Sequence, residues 1–386
     1  MMALDTASTR QPLERASHVP GDIYSSAEVY ALEKERIFLR DWLCVARAEE
    51  LANPGDYMAL RIMGEPILIV RDAECKVHAY ANLCLHRGVE LVTGQGNAKE
   101  FRCPYHAWTY DLKGQLRGAP FMGQSTGFEV PAGRLKEVKI GLWAGWVFVN
   151  LDPSAETLES FVSEFERDVG FLKMEDCVLG TKLVVDLECN WKLVVENLMD
   201  VYHAQTVHAK SFGKHRGSPD RYPFNLRKYG GTCTLYEAAP MTPDGKTRFR
   251  RMPAVADRPD NFAVSAHLAP NMQVIARSDN IHPLVMWPVT PTTSRTIVYN
   301  LFPAEFAAEP DFRERAQVYH DYLSLVLSED RDMVASLQKA MASVLFVPGR
   351  MSFLEKGIHH VLNAYLDRMF GRASKIDAGS RSETAS

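Results

Sequence analysis

Two short runs, "CLHRG" at residues 84–88 and "CPYHAWTYDLKGQL" at residues 103–116, decide how the first third of the chain folds. They set out two ligand pairs, Cys84 with His86 and Cys103 with His106, in C-x-H and C-x-x-H spacing. Residues 87–102 separate the pairs, so each can form its own tight loop, and two facing loops can enclose a small metal centre. Gly88 and Gly114 free the backbone for such turns. Two thiolates and two imidazoles satisfy tetrahedral zinc. They also satisfy a [2Fe-2S] cluster with the cysteines on one iron and the histidines on the other. Neutral imidazoles in place of two thiolates remove negative charge and raise the reduction potential, giving a centre that accepts electrons readily and passes them on.

Around these loops, from Trp42 to Asn150, the chain reads as short strands. "YMALRIM", "PILIVRD" and "CKVHAYAN" are separated by Gly64-Glu65 and Asp72-Ala73, as in hairpins, and "GWVFVN" at 145–150 reads as a closing strand. Upstream, "SSAEVYALEKERIF" carries Ser25 and Glu28 in capping-box spacing and predicts a helix of about three turns. Downstream, Leu158, Phe161, Val162, Phe165 and Val169 trace one helical stripe. "TKLVVDLECNWKL" at 181–193 begins as a strand and passes near Asn190 into a helical stretch through His208. Residues 210–302 alternate like an antiparallel sheet, and helical patterns follow around 310–327, 329–344 and 357–370.

The chain has 386 residues, of which 46% are hydrophobic and 24% charged, enough for one large core or two ordinary domains. A net charge of -4 without a basic tract gives no general attraction for nucleic acid or an acidic membrane surface. The N-terminus lacks the pattern of a secretory signal and no apolar run is long enough to span a bilayer, so a cytoplasmic location is expected. Seven cysteines, widely spaced, argue for reduced thiols. Cys44, Cys75, Cys177, Cys189 and Cys233 have no partner at ligand spacing and read as core or surface residues. Residues 1–20 and the tail 372–386 are polar and are expected to fray.

With Arg87, Gly88, Pro104, Trp108 and Gly114 in place, the two runs resemble the Rieske ferredoxin box, which makes the [2Fe-2S] cluster the expected occupant. Such a module only moves electrons, so the larger half of the chain should receive them. "NWKLVVENLMDVYHAQTVH" at 190–208 offers Asp200, His203 and His208. On an ideal helix Asp200 and His203 adjoin, whereas the step to His208 turns that ring away, so either the helix loosens between the histidines or a metal lies at a break. Two histidines and a carboxylate can hold Fe(II) on one face and leave the others open. "LSEDRDMVASLQ" at 327–338 supplies Glu329, Asp330 and Asp332 at what reads as a helix start, and spacing does not choose among them.

The 190–208 segment resembles the mononuclear-iron segment of the catalytic α subunits of Rieske non-haem iron oxygenases, the aromatic-ring-hydroxylating family, and the likeness covers nearly the whole chain. The resemblance implies four parts: an N-terminal tail and helix (1–40) packing on the catalytic domain, an all-β Rieske [2Fe-2S] domain (41–152), an α+β START-like helix-grip catalytic domain with an antiparallel sheet (153–371), and a flexible tail (372–386). It implies that His203, His208 and Asp330 ligate the iron. It also implies that Asp200 bridges His203 to His106 of a neighbouring subunit in a head-to-tail α3 trimer. A carboxylate can accept N–H bonds from both imidazoles.

By the same resemblance, NAD(P)H supplies electrons through a separate reductase, with or without a ferredoxin, since no flavin or dinucleotide fingerprint is visible here. The expected reaction is hydroxylation or dihydroxylation of a small aromatic or heteroaromatic substrate, acidic ones included, a preference resting on Asp200 where the carnitine branch tends to use glutamate. The alternative is a monooxygenase that demethylates or cleaves a quaternary ammonium or N/O-methyl substrate. The chain's length favours α subunits alone over pairing with a β subunit. Alternation over "MQVIARSDNIHPLVMW" at 272–287 proposes Ser278, Asn280 and His282 as pocket residues, with Arg277 or Arg295 available to a carboxylate. Tyr202, Trp287, Tyr299 and Phe302 are the aromatics available for a cationic cage. The non-enzymatic rivals are a Rieske electron-transfer protein and a START-like ligand-binding protein.

Overall fold

The structure, a computed structural model, describes residues 4–130, 133–215 and 223–371. The expected tail 372–386 lies outside the described residues. The N-terminal segment, expected to fray, is packed: Thr9, Ala16 and Val19 are buried, and His18 N–H donates to the Gly349 carbonyl at 2.9 Å. A one-turn helix α1 (Asp22–Ser25) leads into α2 (Ala27–Glu33). The cap of α2 is Ser26 rather than Ser25. Its hydroxyl accepts from Glu28 and Val29 N–H, while Ser25 belongs to the preceding turn.

The first sheet contains β1 (Leu43–Arg47), β2 (Asp56–Ile62), β3 (Glu65–Arg71), β4 (Val77–Ala81) and β5 (Gln95–Asn97). After the small ribbon of β6 (Phe101–Arg102), β7 (Thr109–Tyr110) and β8 (Leu116–Gly118), it is completed by β9 (Glu137–Trp143) and β10 (Trp146–Asn150). Its order is β1-β10-β9-β4-β3-β2-β5, antiparallel throughout. Every strand expected between 57 and 150 is present. The two cysteine-histidine loops lie outside the sheet, beside the ribbon.

Helix α3 (Leu158–Val169) buries the stripe read from its sequence, from Leu158 to Val169. The second sheet comprises β11 (Cys177–Leu187), β12 (Asn225–Leu226), β13 (Thr232–Glu237), β14 (Phe262–Leu268), β15 (Met272–Ala276), β16 (Ile281–Thr290) and β17 (Thr293–Pro303). Its order is β11-β17-β16-β15-β14-β13-β12, again antiparallel. Between β11 and β12 come α4 (Trp191–Met199) and the single turn α5 (Ala204–Val207). After β17 come α6 (Phe312–Met341) and α7 (Lys356–Phe370). The patterns at 310–327 and 329–344 are one helix of 30 residues, so Glu329, Asp330 and Asp332 stand mid-helix and not at its start. Ser328 does not open a new helix because its hydroxyl bonds back to the Leu325 carbonyl at 2.7 Å.

The two sheets share their cores. Trp42, Cys44, Trp146 and Phe148 pack in one cluster with Phe161, Met272 and Ile281. Asn271, in the β14–β15 turn, accepts from Cys44 N–H and donates to its carbonyl, at 3.1 and 2.9 Å. Buried Arg47 donates to the Met174 and Cys177 carbonyls across the same boundary.

Candidate metal centres and active-site cavity

The backbone of each cysteine-histidine loop closes on itself. Gly88 N–H donates to the Cys84 carbonyl and Cys84 N–H to the Val89 carbonyl; Cys103 N–H donates to Trp108 and Ala107 N–H to Cys103. Gly88 and Gly114 have φ of 72° and 76°, as the turns require. The thiols of Cys84 and Cys103 are buried, whereas His86 and His106 are exposed. The two imidazole Nδ1 atoms face each other at 3.1 Å. His86 stacks on Trp108, and Tyr110 places its hydroxyl 3.3 Å from Cys84 Sγ while accepting from Leu85 N–H. Burial pushes the Cys84 thiol up, Tyr110 pulls it back, and Cys103 pushes it further. Buried thiols held beside converging imidazoles fit a metal cluster, and the donor set is that of a [2Fe-2S] centre with two histidines.

The second constellation is built on a broken helix. Asn190 caps α4 by accepting from Lys192 N–H. The helix ends at Asp200, whose backbone is extended (φ -72°, ψ 105°) and whose Oδ1 accepts from Tyr202 N–H at 2.7 Å. Asp200 and His203 therefore do not share a helix, contrary to expectation. His203 caps the start of α5 and His208 its end, so one turn turns both rings inward. On α6 the buried stripe runs Tyr319, Tyr322, Leu323, Val326, Asp330 and Val334, which carries Asp330 into the same space. Asp332 is exposed and Glu329 sits beside the stripe.

His203 Nε2 and His208 Nε2 are 3.2 Å apart, and Asp330 Oδ1 is 3.5 and 3.1 Å from them. The ligand atoms of these three residues all lie within 4.8 Å of one another. Asp330 Oδ1 is buried without a hydrogen-bond partner, the condition of a carboxylate waiting for a cation. Burial would raise Asp330, but the two histidines outweigh it and hold the carboxyl down at about 2. Burial likewise lowers His203, but Asp200 and Asp330 overcome it and lift the imidazole to about 9. These groups fit a 2-His-1-carboxylate metal site.

Around that site stand oriented partners. Glu329 Oε2 lies 2.7 Å from His208 Nδ1 and accepts from Ser211 Oγ at 2.6 Å, which leaves His208 Nε2 as a lone pair facing the cluster. Asp200 Oδ2 approaches His203 Nδ1 at 3.1 Å without the alignment of a hydrogen bond. By spacing Glu329 is a rival ligand; its role on His208 is visible only once the helix phase turns Asp330 inward.

The three metal-facing residues line a cavity of about 100 Å³. From the helices it takes Asn197, Asp200, Phe212, Leu323 and Val326; from the sheet it takes Thr234, Tyr236, Ser265, Ile275, Arg277, His282 and Leu284. His282, one of the three residues proposed from alternation, is among the lining residues. Ser278 and Asn280 are buried but do not line the cavity: β15 ends at Ala276, and residues 277–280 form a turn closed by Arg277 N–H on the Asn280 carbonyl, so the alternation stops there. None of Tyr202, Trp287, Tyr299 and Phe302 lines the cavity, and Arg295 is paired outside it with Asp186. Thr234, Ser265 and Tyr236 were missed, because only the strand register gathers them.

The Rieske [2Fe-2S] domain family matches residues 41–139, and the ring hydroxylating alpha subunit (catalytic domain) family matches residues 174–371. The carnitine monooxygenase oxygenase subunit of Acinetobacter baumannii is 37% identical over 194 residues, 49% of this chain and 52% of that protein. The chain spans about half the length of the curated carnitine monooxygenase subunits it matches. The glycine betaine monooxygenase oxygenase subunit of Chromohalobacter salexigens is 26% identical over 392 residues, 92% of this chain and 86% of that one. The solved structure of a quaternary ammonium Rieske monooxygenase in complex with its substrate gamma-butyrobetaine has a TM-score of 0.77 at 26% identity, covering 95% of this chain and 99% of that one.

Proposed function

Because the chain belongs to the ring-hydroxylating α subunits, with a Rieske domain ahead of their catalytic domain, we propose that it is a terminal oxygenase for small quaternary ammonium or N-methyl compounds. It would spend electrons from NAD(P)H, delivered by a partner reductase, and dioxygen on oxidative demethylation or C–N cleavage. The convergence of His203, His208 and Asp330 on one cavity wall carries the oxygenase reading. The relatives favour the ammonium substrate over the aromatic one first expected.

Iron(II) would be held by His203, His208 and Asp330, and the cluster by Cys84, His86, Cys103 and His106. The iron supplies open coordination positions for dioxygen, and the cluster supplies electrons singly. The chain's own residues do the rest. Glu329 fixes the His208 ring, Asp200 flanks His203, and Leu323 and Val326, on the α6 stripe that carries Asp330, keep the reacting end apolar.

A head-to-tail oligomer, a trimer in this reading, is supported by exposure at both ends of the expected bridge. His86 and His106 stand among exposed Leu83, Leu85 and Tyr105, and exposed Tyr202 lies next to Asp200. The test is anaerobic iron and labile-sulfide analysis. The oxygenase reading expects about three irons and two sulfides per chain, an electron-transfer protein about two of each, and a binding protein neither. Asp330→Ala is expected to lose about one iron and keep the Rieske chromophore; full iron retention would defeat the assignment.

A further inference from the structure

The strand register sets one rung of side chains across the catalytic sheet: Thr234 pairs with Ser265, Ser265 with Ile275, and Ile275 with His282. All four line the cavity. One step along, Tyr236 and Arg277 join the same wall, and Ala263, the partner of Tyr236, is too small to separate them. Arg277 is 4% exposed. Its Nε donates to the Ala239 carbonyl, and its Nη1 to Tyr236 Oη at 3.0 Å and to the Ala276 carbonyl. Among the described residues no carboxylate is ion-paired with it. The acid two residues on, Asp279, is engaged elsewhere, taking bonds from Arg248 N–H and the Tyr319 hydroxyl.

A buried guanidinium without a counter-charge is costly unless something supplies one. Beyond the oxygens it already bonds, the same wall carries groups able to donate. Thr234 Oγ1 and His282 Nδ1 are buried without partners, and Ser265 Oγ, already accepting from Gln273, has its proton free to give. Burial first, and then Arg277, push His282 well below its usual range, so the ring is neutral and offers one N–H. The helix wall of the cavity holds Asp200 and Asp330; among the described residues the sheet wall holds no acid. Two hydroxyls and a neutral imidazole, each with a proton to give, around one cation suit a group that only accepts hydrogen bonds.

We infer that Arg277 is the specificity-determining residue of the cavity, and that it holds the carboxylate of a small organic acid whose other end is presented to the His203–His208–Asp330 cluster. This deepens the proposed function by naming a substrate class and rests on the cavity being the substrate site. The same carboxylate could belong to a betaine-type zwitterion or to an aromatic acid, and the arms of the test separate them.

The experiment measures equilibrium binding to the metal-loaded, oxidised protein without reductase, so that no turnover occurs. The probes are gamma-butyrobetaine against its carboxamide, and benzoate against benzamide. At least one acid is expected to bind about tenfold or more tightly than its amide, a difference that the charge-assisted fork of an arginine can supply. The pair that responds assigns the source. In Arg277→Gln the ratio is expected to fall to near unity, with binding of the amide little changed. Arg277→Lys, which keeps the charge and loses the fork, is expected to lower it at least threefold and serves if the glutamine variant does not fold. A ratio near unity for both pairs in the wild type, or one undiminished in the variants, overturns the inference. Iron and sulfide are measured on the same preparations. Complete metal centres without acid preference would sink this inference alone, and acid preference without the third iron would sink the oxygenase reading alone.

Discussion

Glu329 and Asp330 are consecutive, yet they act on opposite sides of one imidazole. A helix turns about 100° per residue, so only Asp330 falls on the stripe between Val326 and Val334, while Glu329 reaches His208 Nδ1 from behind. Types and spacing showed three acids close together; burial phase chose among them. The signal was in the sequence, as an acid interrupting an apolar stripe, but it could be read only with the helix boundaries right. Another buried acid sets a pH dependence. Burial raises Glu196 to about 7, although Tyr24, His18 and Lys192 pull the other way. Its folded pKa lies above the ordinary 4.5, so its stabilising contribution is complete below about 4.5, falls as pH rises through about 7 and is gone above. The difference is on the order of 3 kcal/mol. Denaturant midpoints from pH 4.5 to 8 are expected to show this decline in the wild type and a flatter profile in Glu196→Gln; equal slopes would refute it.

At the scale of elements, the boundaries that failed are informative. The four strands expected between 57 and 150 are present, because alternation and hairpin residues are local; β5 to β9, short or without clean alternation, were not legible. The sequence splits α6 in two, because Ser328-Glu329-Asp330 looks like a helix start, and it misses the break at Asp200, which rests on a side-chain bond to Tyr202 N–H. The length of α6 has a structural use. Its C-terminal end meets the N-terminal segment, and a Cβ on Gly21 would lie 2.1 Å from the Met341 carbonyl oxygen. Backbone on both sides cannot yield as a side chain can. Gly21→Ala is expected to cost about 1–3 kcal/mol, read as a shifted denaturant midpoint, while iron content is unchanged.

On the scale of the whole molecule, two domains were legible, since the texture of the sequence changes near 41 and again near 152. Their interlock was not, because it depends on Asn271, Arg47 and a core drawn from both sheets. The proposed path between subunits belongs here too. If Asp200 links His203 to a neighbour's His106, then Asp200→Asn should keep the cluster spectrum and iron content and lose at least about tenfold in turnover, measured as product by mass; unimpaired product formation would dismiss the bridge.

The paired hydrogen bonds of Asn271 to the Cys44 backbone have one more consequence. With the iron-sulfur module clamped to the catalytic sheet, the His86–His106 edge is a fixed terminal and not a swinging arm. A redox partner must then come to that edge, since the edge does not travel to the partner.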